Sequence, residues 1–351
     1  GHDFRPAYLG IRHAINLLGR PPVLALTATA TPPVIADIIA QLDIAGALIV
    51  NHGIDRPNLA YDVYRTVNEE DKFECLIRIL RETVDGTGII YVATVRQSEE
   101  LFGRLRKTGL AAGQYHGKMS FSDRRRMQEE FMNDHYRVVV ATKAFGLGID
   151  KANLRFVIHY AFPDSLESYV QEAGRAGRDG QPALAALFYR LEDRRVQAYF
   201  LRGKYPRPDE CARVYYAFDA GGTGPHAPLT SSSLHSTSGI GLRRLRVILA
   251  LLEKAGIITR ERRGFRRHRQ FHNQEEFTDY LKTYDRRHEL DEGRLSTMMK
   301  YGQTTECRVR FLTRYFSREI PANCGRCDNC RTGVTGLTVD TTQLTDLRGI
   351  P

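Results

Sequence analysis

Between residues 69 and 189 the chain repeats one pattern, a short and almost wholly apolar run followed by a longer amphipathic one. The runs at 88–93, 137–142, 156–160 and 183–189 are apolar on both faces, as strands buried on both sides must be. A shorter strand is expected near 113–115, and helices at 69–82, 97–108, 120–132 and 165–174. The helix at 120–132 sets Met127 and Phe131 on one face behind a Ser120/Asp123 capping pair. The helix at 165–174 carries an apolar stripe of Leu166, Tyr169, Val170 and Ala173, with Asp164 as its expected cap and Glu167 three positions on. Apolar strands alternating with amphipathic helices imply an α/β fold with a doubly wound parallel sheet.

On either side the pattern changes. Residues 22–30 begin with an apolar run expected as a buried strand, with Thr27 and Thr29 at its exit, where ligands gather in open α/β sheets. Thr31 can cap a helix that starts on Pro32 and Pro33 and runs to about Leu42, before another strand at 47–50. Gly53 and Pro57 mark a hinge at 52–58, and a Gly/Pro/Ser-rich stretch at 203–233 marks a domain boundary. Beyond it Leu242, Leu245, Leu249 and Leu252 line a helix ending at Gly256. Residues 257–262 and 265–271 can then pair as a hairpin across Arg263 and Gly264. A helix followed at once by a basic hairpin has the shape of a winged helix.

That segment holds most of the charge. The chain has 51 Lys+Arg against 41 Asp+Glu, a net +10 and a pI near 9.4. From 231 to 272 there are ten Lys/Arg against two Glu, a surplus of eight. Arg243 and Arg246 share a helix face, and Arg260, Arg262, Arg263, Arg266, Arg267 and Arg269 fill the hairpin. Strand alternation groups Arg260 with Arg262 and Arg267 with Arg269, leaving Phe265 or Phe271 to anchor the other face. A charge run can be a solvated face, but its concentration on one hairpin points to duplex nucleic acid.

Two constellations carry chemistry. Arg175 and Arg178 stand three apart between Gly174, Gly177 and Gly180, after Gln171, at the end of a packed helix. Guanidinium forks suit phosphate oxygens, and arginines so delivered stabilise charge on a transferring phosphoryl group. The second is Cys307 with Cys324, Cys327 and Cys330, the first presented by a helix expected at 291–316. Their spacing suits a tetrahedral Zn²⁺ or opens an iron–sulfur pattern. Cys75 and Cys211 read as ordinary packed thiols, and the sparse cysteine usage fits a reducing compartment. Length allows two or three domains, and no apolar run approaches the roughly 20 residues that span a bilayer.

Residues 171–180, QEAGRAGRDG, resemble the last motif of superfamily 2 helicases, and 141–160, ATKAFGLGIDKANLRFVIHY, resemble the motif before it. With the four cysteines, the chain resembles the RecQ family of DNA helicases, most closely over 1–200 and 301–330. The resemblance implies the end of a RecA-like motor domain at 1–52 and a second motor domain at 53–203. A linker at 204–230, a winged-helix-like unit at 231–285, a zinc segment at 286–332 and a tail at 333–351 would follow. It implies a 3′–5′ ATP-dependent DNA helicase of repair, recombination or replication, using ATP with Mg²⁺ and a structural Zn²⁺ on the four cysteines. Gln171, Arg175 and Arg178 would serve catalysis. Gly148 and Asp150, with the two arginines, would hold the nucleotide, Asp150 toward the ribose where many members carry Asn. Thr27 and Thr29 would belong to the motif coupling the nucleotide site to movement.

Single-stranded DNA would meet His2, Phe4 and Arg5, the remnant of an aromatic-rich loop, and then Thr94, Arg96, His116, Thr142 and Lys143. By spacing alone, Phe4 reads as an anchor for the next helix. Duplex DNA would meet Arg243, Arg246, Arg267 and Arg269. Repair or recombination proteins would be further partners, no membrane is involved, and the expected location is cytoplasmic and nucleoid-associated. The family usually places its winged helix after the zinc segment, whereas here the unit precedes it. Neither a GxxxxGK[ST] phosphate loop nor a DExH stretch occurs. The chain alone is therefore expected to lack ATPase, and the competing class is a non-enzymatic DNA-binding or regulatory protein that keeps half a motor.

Overall fold

Six parallel strands form the sheet that the apolar runs called for: β1 (Leu59–Arg65), β2 (Thr87–Tyr91), β3 (Ala112–Tyr115), β4 (Val138–Ala141), β5 (Leu154–His159) and β6 (Ala183–Tyr189). The computed structural model describes residues 10–82, 86–146, 149–190, 192–193, 195–197, 206–220, 228–269, 271, 274–316 and 322–333. His2, Phe4, Arg5 and Gly148 lie outside the described residues. The strand order is β1-β6-β5-β2-β4-β3. Every residue of β2, β4 and β6 is buried, so their unbroken apolarity follows from helices covering both faces. Those helices are α3 (Glu69–Glu82), α4 (Val95–Lys107), α5 (Phe121–Met132) and α6 (Leu166–Ala173). Leu76 and Leu80 of α3 and Leu105 of α4 are fully buried in the core. Each contributes about 1.5–3 kcal/mol by leaving water. Ser120 caps α5 as expected, accepting from the Asp123 amide at 3.1 Å.

Strand β1 has no counterpart among the sequence expectations. Its polar residues hide it: Asp62 is only 5% exposed in the middle of the strand. It pairs with β6 from Leu59↔Ala183 to Arg65↔Tyr189 and forms one edge of the sheet.

The N-terminal residues carry α1 (Ile11–Leu17) and α2 (Pro32–Leu42), the latter starting on Pro32 after an extended Thr31. The strands expected within 22–30 and at 47–50 do not form. Leu24, Leu26 and Leu48 are 81%, 84% and 88% exposed. A parallel strand exists only against a neighbour that takes its N–H and C=O groups, and among the described residues no strand pairs with either run.

Residues 194–296 make a second compact unit. Its first described helix, α7 (Pro208–Ala220), occupies the stretch expected as linker and buries Cys211, Val214, Tyr215 and Ala217. α8 (Ser231–Ser238) and α9 (Leu242–Lys254) follow, then the antiparallel hairpin β7 (Ile258–Glu261) and β8 (Gly264–Arg267). The hairpin turns on Arg262 and Arg263, one residue earlier than expected, since Glu261 pairs with Gly264. Gly264 has φ +152°, and a Cβ there would stand 2.4 Å from the Leu229 carbonyl oxygen, which explains the glycine. Leu245, Ile248, Leu249, Leu252, Ile257 and Phe277 form this unit's core.

The helix expected at 291–316 is two helices, the end of α10 (Gln274–Gln303) and α11 (Arg308–Tyr315). The break has a partner: Asn329 donates to the carbonyls of Thr304 at 3.0 Å and Glu306 at 2.7 Å, leaving Cys307 as the N-cap residue of α11. α12 (Asp328–Arg331) closes the described chain's last element. No described helix is long and apolar enough to cross a membrane.

Candidate nucleotide, nucleic-acid and metal sites

Helix α6 is capped by Ser165, whose Oγ accepts from the Ser168 amide at 3.2 Å, and not by Asp164, which pairs with Lys143 at 3.1 Å. The helix packs through Leu166, Tyr169, Val170 and Ala173, as its stripe required. Behind it His159, 1% exposed, meets Glu172 at 2.8 Å and lies against the rings of Tyr91 and Tyr169. Gln171 is exposed on this helix. The chain then turns and delivers both arginines onto the loop between β4 and β5. Arg175 donates to the Gly146 carbonyl at 2.6 Å. Arg178 donates to the Asp150 carboxylate and, at 3.4 Å, to the Ile149 carbonyl.

The two arginines are held differently. Arg175 is half-buried on a backbone oxygen, which cannot move without moving the loop. Arg178 is 38% exposed and its partner Asp150 is 84% exposed, so this pair is open to solvent and contributes little stability. Two further residues, absent from the sequence expectations, hold the turn itself. Arg56 donates to the Gly174 carbonyl at 2.9 Å and to the Gly177 carbonyl. Asn58 Nδ2 donates to Gly177 at 2.7 Å and to Gln181 at 2.8 Å. Gly177 has φ +60°, and a Cβ there would meet Asn58 Nδ2 at 2.6 Å and Ala183 Cβ at 2.9 Å. No spacing pattern announces Arg56 or Asn58, because their partners are main-chain oxygens far along the chain.

Five of the residues expected along single-stranded DNA lie just beyond the carboxyl ends of neighbouring strands. Thr94 and Arg96 follow β2, His116 follows β3, and Thr142 and Lys143 follow β4, three strands adjacent in the sheet. Thr94 Oγ1 caps α4, accepting from Gln97 at 3.0 Å. Arg96, 86% exposed, pairs with Glu100 on its own helix, and Lys143 is 77% exposed. Surface pairs of this kind are worth little and yield easily to phosphate. His116 is 7% exposed, and its Nδ1 has no hydrogen-bond partner among the described residues.

In the second unit the expected pairing of Arg267 with Arg269 as a free cationic face is corrected. Register sets Arg267 opposite Ile258 and Arg260, itself exposed, opposite Phe265, so both arginines lie on the face whose Ile258 and Phe265 join the core. Arg267 is 8% exposed, bonds the Asp219 carboxylate of α7 and lies 4.8 Å from the Tyr215 ring centroid. Arg266 pairs with Glu261 at 2.6 Å. Arg269 is exposed but lies over Phe271 and Tyr280, 5.1 and 5.4 Å from their centroids. Arg243 and Arg246 on α9, and Arg262 and Arg263 at the hairpin turn, are exposed.

The four cysteines converge. The Sγ atoms of Cys307, Cys324, Cys327 and Cys330 all lie within 4.8 Å of one another, and Cys324 and Cys330 are 3.9 Å apart. A tetrahedron with Zn–S near 2.3 Å has edges of about 3.8 Å, so the donors fit one Zn²⁺. A multi-iron cluster would hold its irons and sulfides between more widely spaced thiolates. Amides support the sulfurs: Cys324 N–H donates to Cys307 Sγ at 3.3 Å and Arg308 N–H to Cys327 Sγ at 3.4 Å. Hydrogen bonds from Cys324 and Cys327 hold the Cys307 thiol well below its usual range, while Cys327, sharing protons with Cys307 and Cys324, is pushed up. A cation at the centre is what permits all four to ionise together.

The knuckle is stapled to the edge strand. Asp328 accepts from the β1 amide of Val63 at 3.0 Å and from buried Arg308 at 2.9 and 3.0 Å. Arg331 pairs with Asp62 at 2.7 Å, the carboxylate that obscured β1 in the sequence. An edge amide that would otherwise be unpaired is thereby covered.

Comparison with known proteins agrees with these elements. Residues 71–180 match the family described as helicase conserved C-terminal domain, and residues 262–331 match the RecQ zinc-binding family. The ATP-dependent DNA helicase RecQ of Bacillus subtilis is 42% identical over 202 residues, 57% of this chain and 34% of the relative. A probable ATP-dependent DNA helicase RecS of the same organism is 37% identical over 215 residues, covering 61% of this chain and 43% of the relative. A putative ATP-dependent DNA helicase of Caenorhabditis elegans is 43% identical over 199 residues, 55% and 31% respectively. The chain thus spans 31–43% of the length of these curated relatives. A parallel motor-type sheet with the helicase C-terminal match, a four-cysteine knuckle with the zinc-binding match, and relatives 37–43% identical over 55–61% of this chain together make it similar to the C-terminal part of RecQ-family helicases.

Proposed function

We propose that this chain is the second motor domain, winged-helix-like unit and zinc segment of an ATP-dependent DNA helicase that moves 3′ to 5′ in DNA repair, recombination or replication. One observation carries the reading: Arg175 and Arg178 converge on the loop after β4, and Arg178 rests on an exposed carboxylate. A polyphosphate chain with Mg²⁺, held by a facing motor half, would replace Asp150 as the partner of Arg178. Asp150, once released, would turn to the ribose, and Gly148 would serve the same nucleotide. Arg175 would keep the loop in register, and Gln171 would face the same cleft. The chain supplies these arginines but no phosphate loop, so alone it is expected to hydrolyse no ATP.

The single strand would run past Thr94, Arg96, His116, Thr142 and Lys143, through phosphate contacts that position without reading sequence. Arg243, Arg246, Arg262 and Arg263 would meet duplex, with Arg269 beside them. The setting is the cytoplasm, in association with the nucleoid and with repair or recombination proteins. The test is DNA-stimulated ATP turnover and unwinding of 3′-tailed against 5′-tailed duplexes by the intact protein. Turnover with 3′-tailed preference supports the reading. DNA binding without any turnover would instead mark a non-enzymatic DNA-binding protein.

A further inference from the structure

The turn that carries Arg175 and Arg178 is fixed through two peptide groups, and both end on the same side chain. The carbonyl of Gly174 lies in the peptide plane that contains the Arg175 nitrogen, and the carbonyl of Gly177 lies in the plane that contains the Arg178 nitrogen. Arg56 donates to both oxygens. It therefore sets the direction in which each arginine leaves the main chain. Asn58 takes the Gly177 oxygen as well, and Asn58's own carbonyl accepts from the Ala183 amide at 2.9 Å, tying the arrangement to β6.

Arg56 is in turn held by the zinc knuckle. Arg326, between Cys324 and Cys327, donates to the Asp55 carboxylate, to the Arg56 carbonyl at 3.4 Å and to the Leu59 carbonyl at 3.3 Å. Arg331 donates to the Arg326 carbonyl, closing the knuckle over this segment. A continuous set of hydrogen bonds thus runs from the cysteine loop through Arg326 and residues 55–59 to the peptide planes of both nucleotide arginines. Every group in it belongs to the same compact unit.

We infer that Arg56 is a positioning residue for Arg178, and that Arg326 of the knuckle holds Arg56 in place, so the zinc segment tunes ATP hydrolysis as well as stabilising the fold. The inference rests on the helicase reading above. Arg56 touches no reacting atom; it acts by keeping the Arg178 guanidinium within reach of the transferring phosphoryl group. A displacement of about 1 Å there can cost on the order of 10²-fold in rate. Lys cannot replace Arg56, because one ammonium lacks the planar fork that spans two carbonyls.

The experiment is a mutant cycle in the intact protein. Arg56→Lys should lower kcat for DNA-stimulated ATP hydrolysis about 10- to 100-fold. The KM for ATP, the DNA affinity and the zinc content should stay within about twofold of wild type. In an Arg178→Ala background the same change should lower kcat several-fold less than in wild type, since one of the two arginines whose peptide planes Arg56 holds is gone. A general structural defect would instead multiply in both backgrounds. Arg326→Lys should reproduce the Arg56→Lys kcat loss more weakly. Hydrogen exchange of the backbone at 174–181, measured on the present chain, should quicken in Arg56→Lys while the rest of the sheet is unchanged. Unchanged kcat in Arg56→Lys, or equal losses in the two backgrounds, overturns the inference. If wild type shows no turnover, the helicase reading fails, and hydrogen exchange alone decides whether Arg56 fixes the turn.

Discussion

The chain has two arginine-rich turns, and they use charge in opposite ways. In the motor domain, the turn at 174–178 is small and glycine-flanked. Its arginines bond a backbone carbonyl and an exposed carboxylate, and Arg56 braces the turn from below. In the wing, six arginines fall within residues 260–269, yet Arg267 is tied to Asp219 and Tyr215, and Arg266 to Glu261. The lesson is that a count of positive residues overstates the available charge. What matters is each partner. A carbonyl fixes a guanidinium in place, a carboxylate that ties down a shielded guanidinium such as Arg267 removes its charge from recognition, and one that meets an exposed guanidinium such as Arg178 leaves that charge open to solvent.

The zinc knuckle braces the first turn through Arg326 and Arg56. Its removal should give the largest effect. Cys327→Ser deletes a fully buried ligand. Structural zinc is worth on the order of 10 kcal/mol in small domains, so the variant should lose its metal and most of its soluble yield. Metal analysis of the wild type should find one zinc per chain and no sulfide; iron with sulfide would overturn the assignment. Next comes Arg178→Ala in the intact protein. It should lower kcat about 10³-fold, in the range of an arginine finger, with DNA affinity nearly unchanged. Normal turnover with weakened DNA binding would move Arg178 from the nucleotide to the strand. Arg175→Ala should lower kcat too, but with measurable loss of stability, because the Gly146 carbonyl loses its donor.

Strands β2 to β6 and the cysteine cluster were legible in the sequence, and for physical reasons. Burial on both faces leaves an apolar run that nothing else explains, and four thiols at short spacing fit few alternatives. β1 was not legible, because Asp62 sits in it and finds its partner in Arg331, at the far end of the chain. The runs at 22–30 and 47–50 were over-read. Apolarity says a segment can be a strand, whereas only a neighbour makes it one. Ser165 replaced Asp164 as the cap of α6 because adjacent capping residues look alike until Lys143 claims one of them. The misreading of the wing has a single origin. Helix α7 lies between glycine- and proline-rich stretches that read as linker, and it carries Asp219 and Tyr215, which claim Arg267. Arg56 and Asn58 left no trace at all, since main-chain oxygens have no sequence signature.

The smallest expected effect on stability separates the two kinds of wing arginine. Arg262 and Arg263 form the hairpin turn and are exposed, and among the described residues neither makes an ion pair, Glu261 being taken by Arg266. Replacing both with Ala should change the stability of the unit by no more than about 0.5 kcal/mol. If they hold duplex phosphates, each lost contact should reduce the log–log salt slope by about 0.9, so the pair flattens it by about 1.8. Single-strand affinity should hold if that strand takes the proposed path past Thr94, Arg96, His116, Thr142 and Lys143. Arg267→Ala should do the reverse. It removes a charged hydrogen bond and a ring contact from a side chain only 8% exposed, costing about 1–3 kcal/mol of stability with the salt slope intact. Thermal unfolding and duplex titrations at several salt concentrations read both outcomes in the same samples. A salt slope that falls for Arg267→Ala and holds for the turn variant would reverse the assignment, making the packed arginine the one that DNA pulls free.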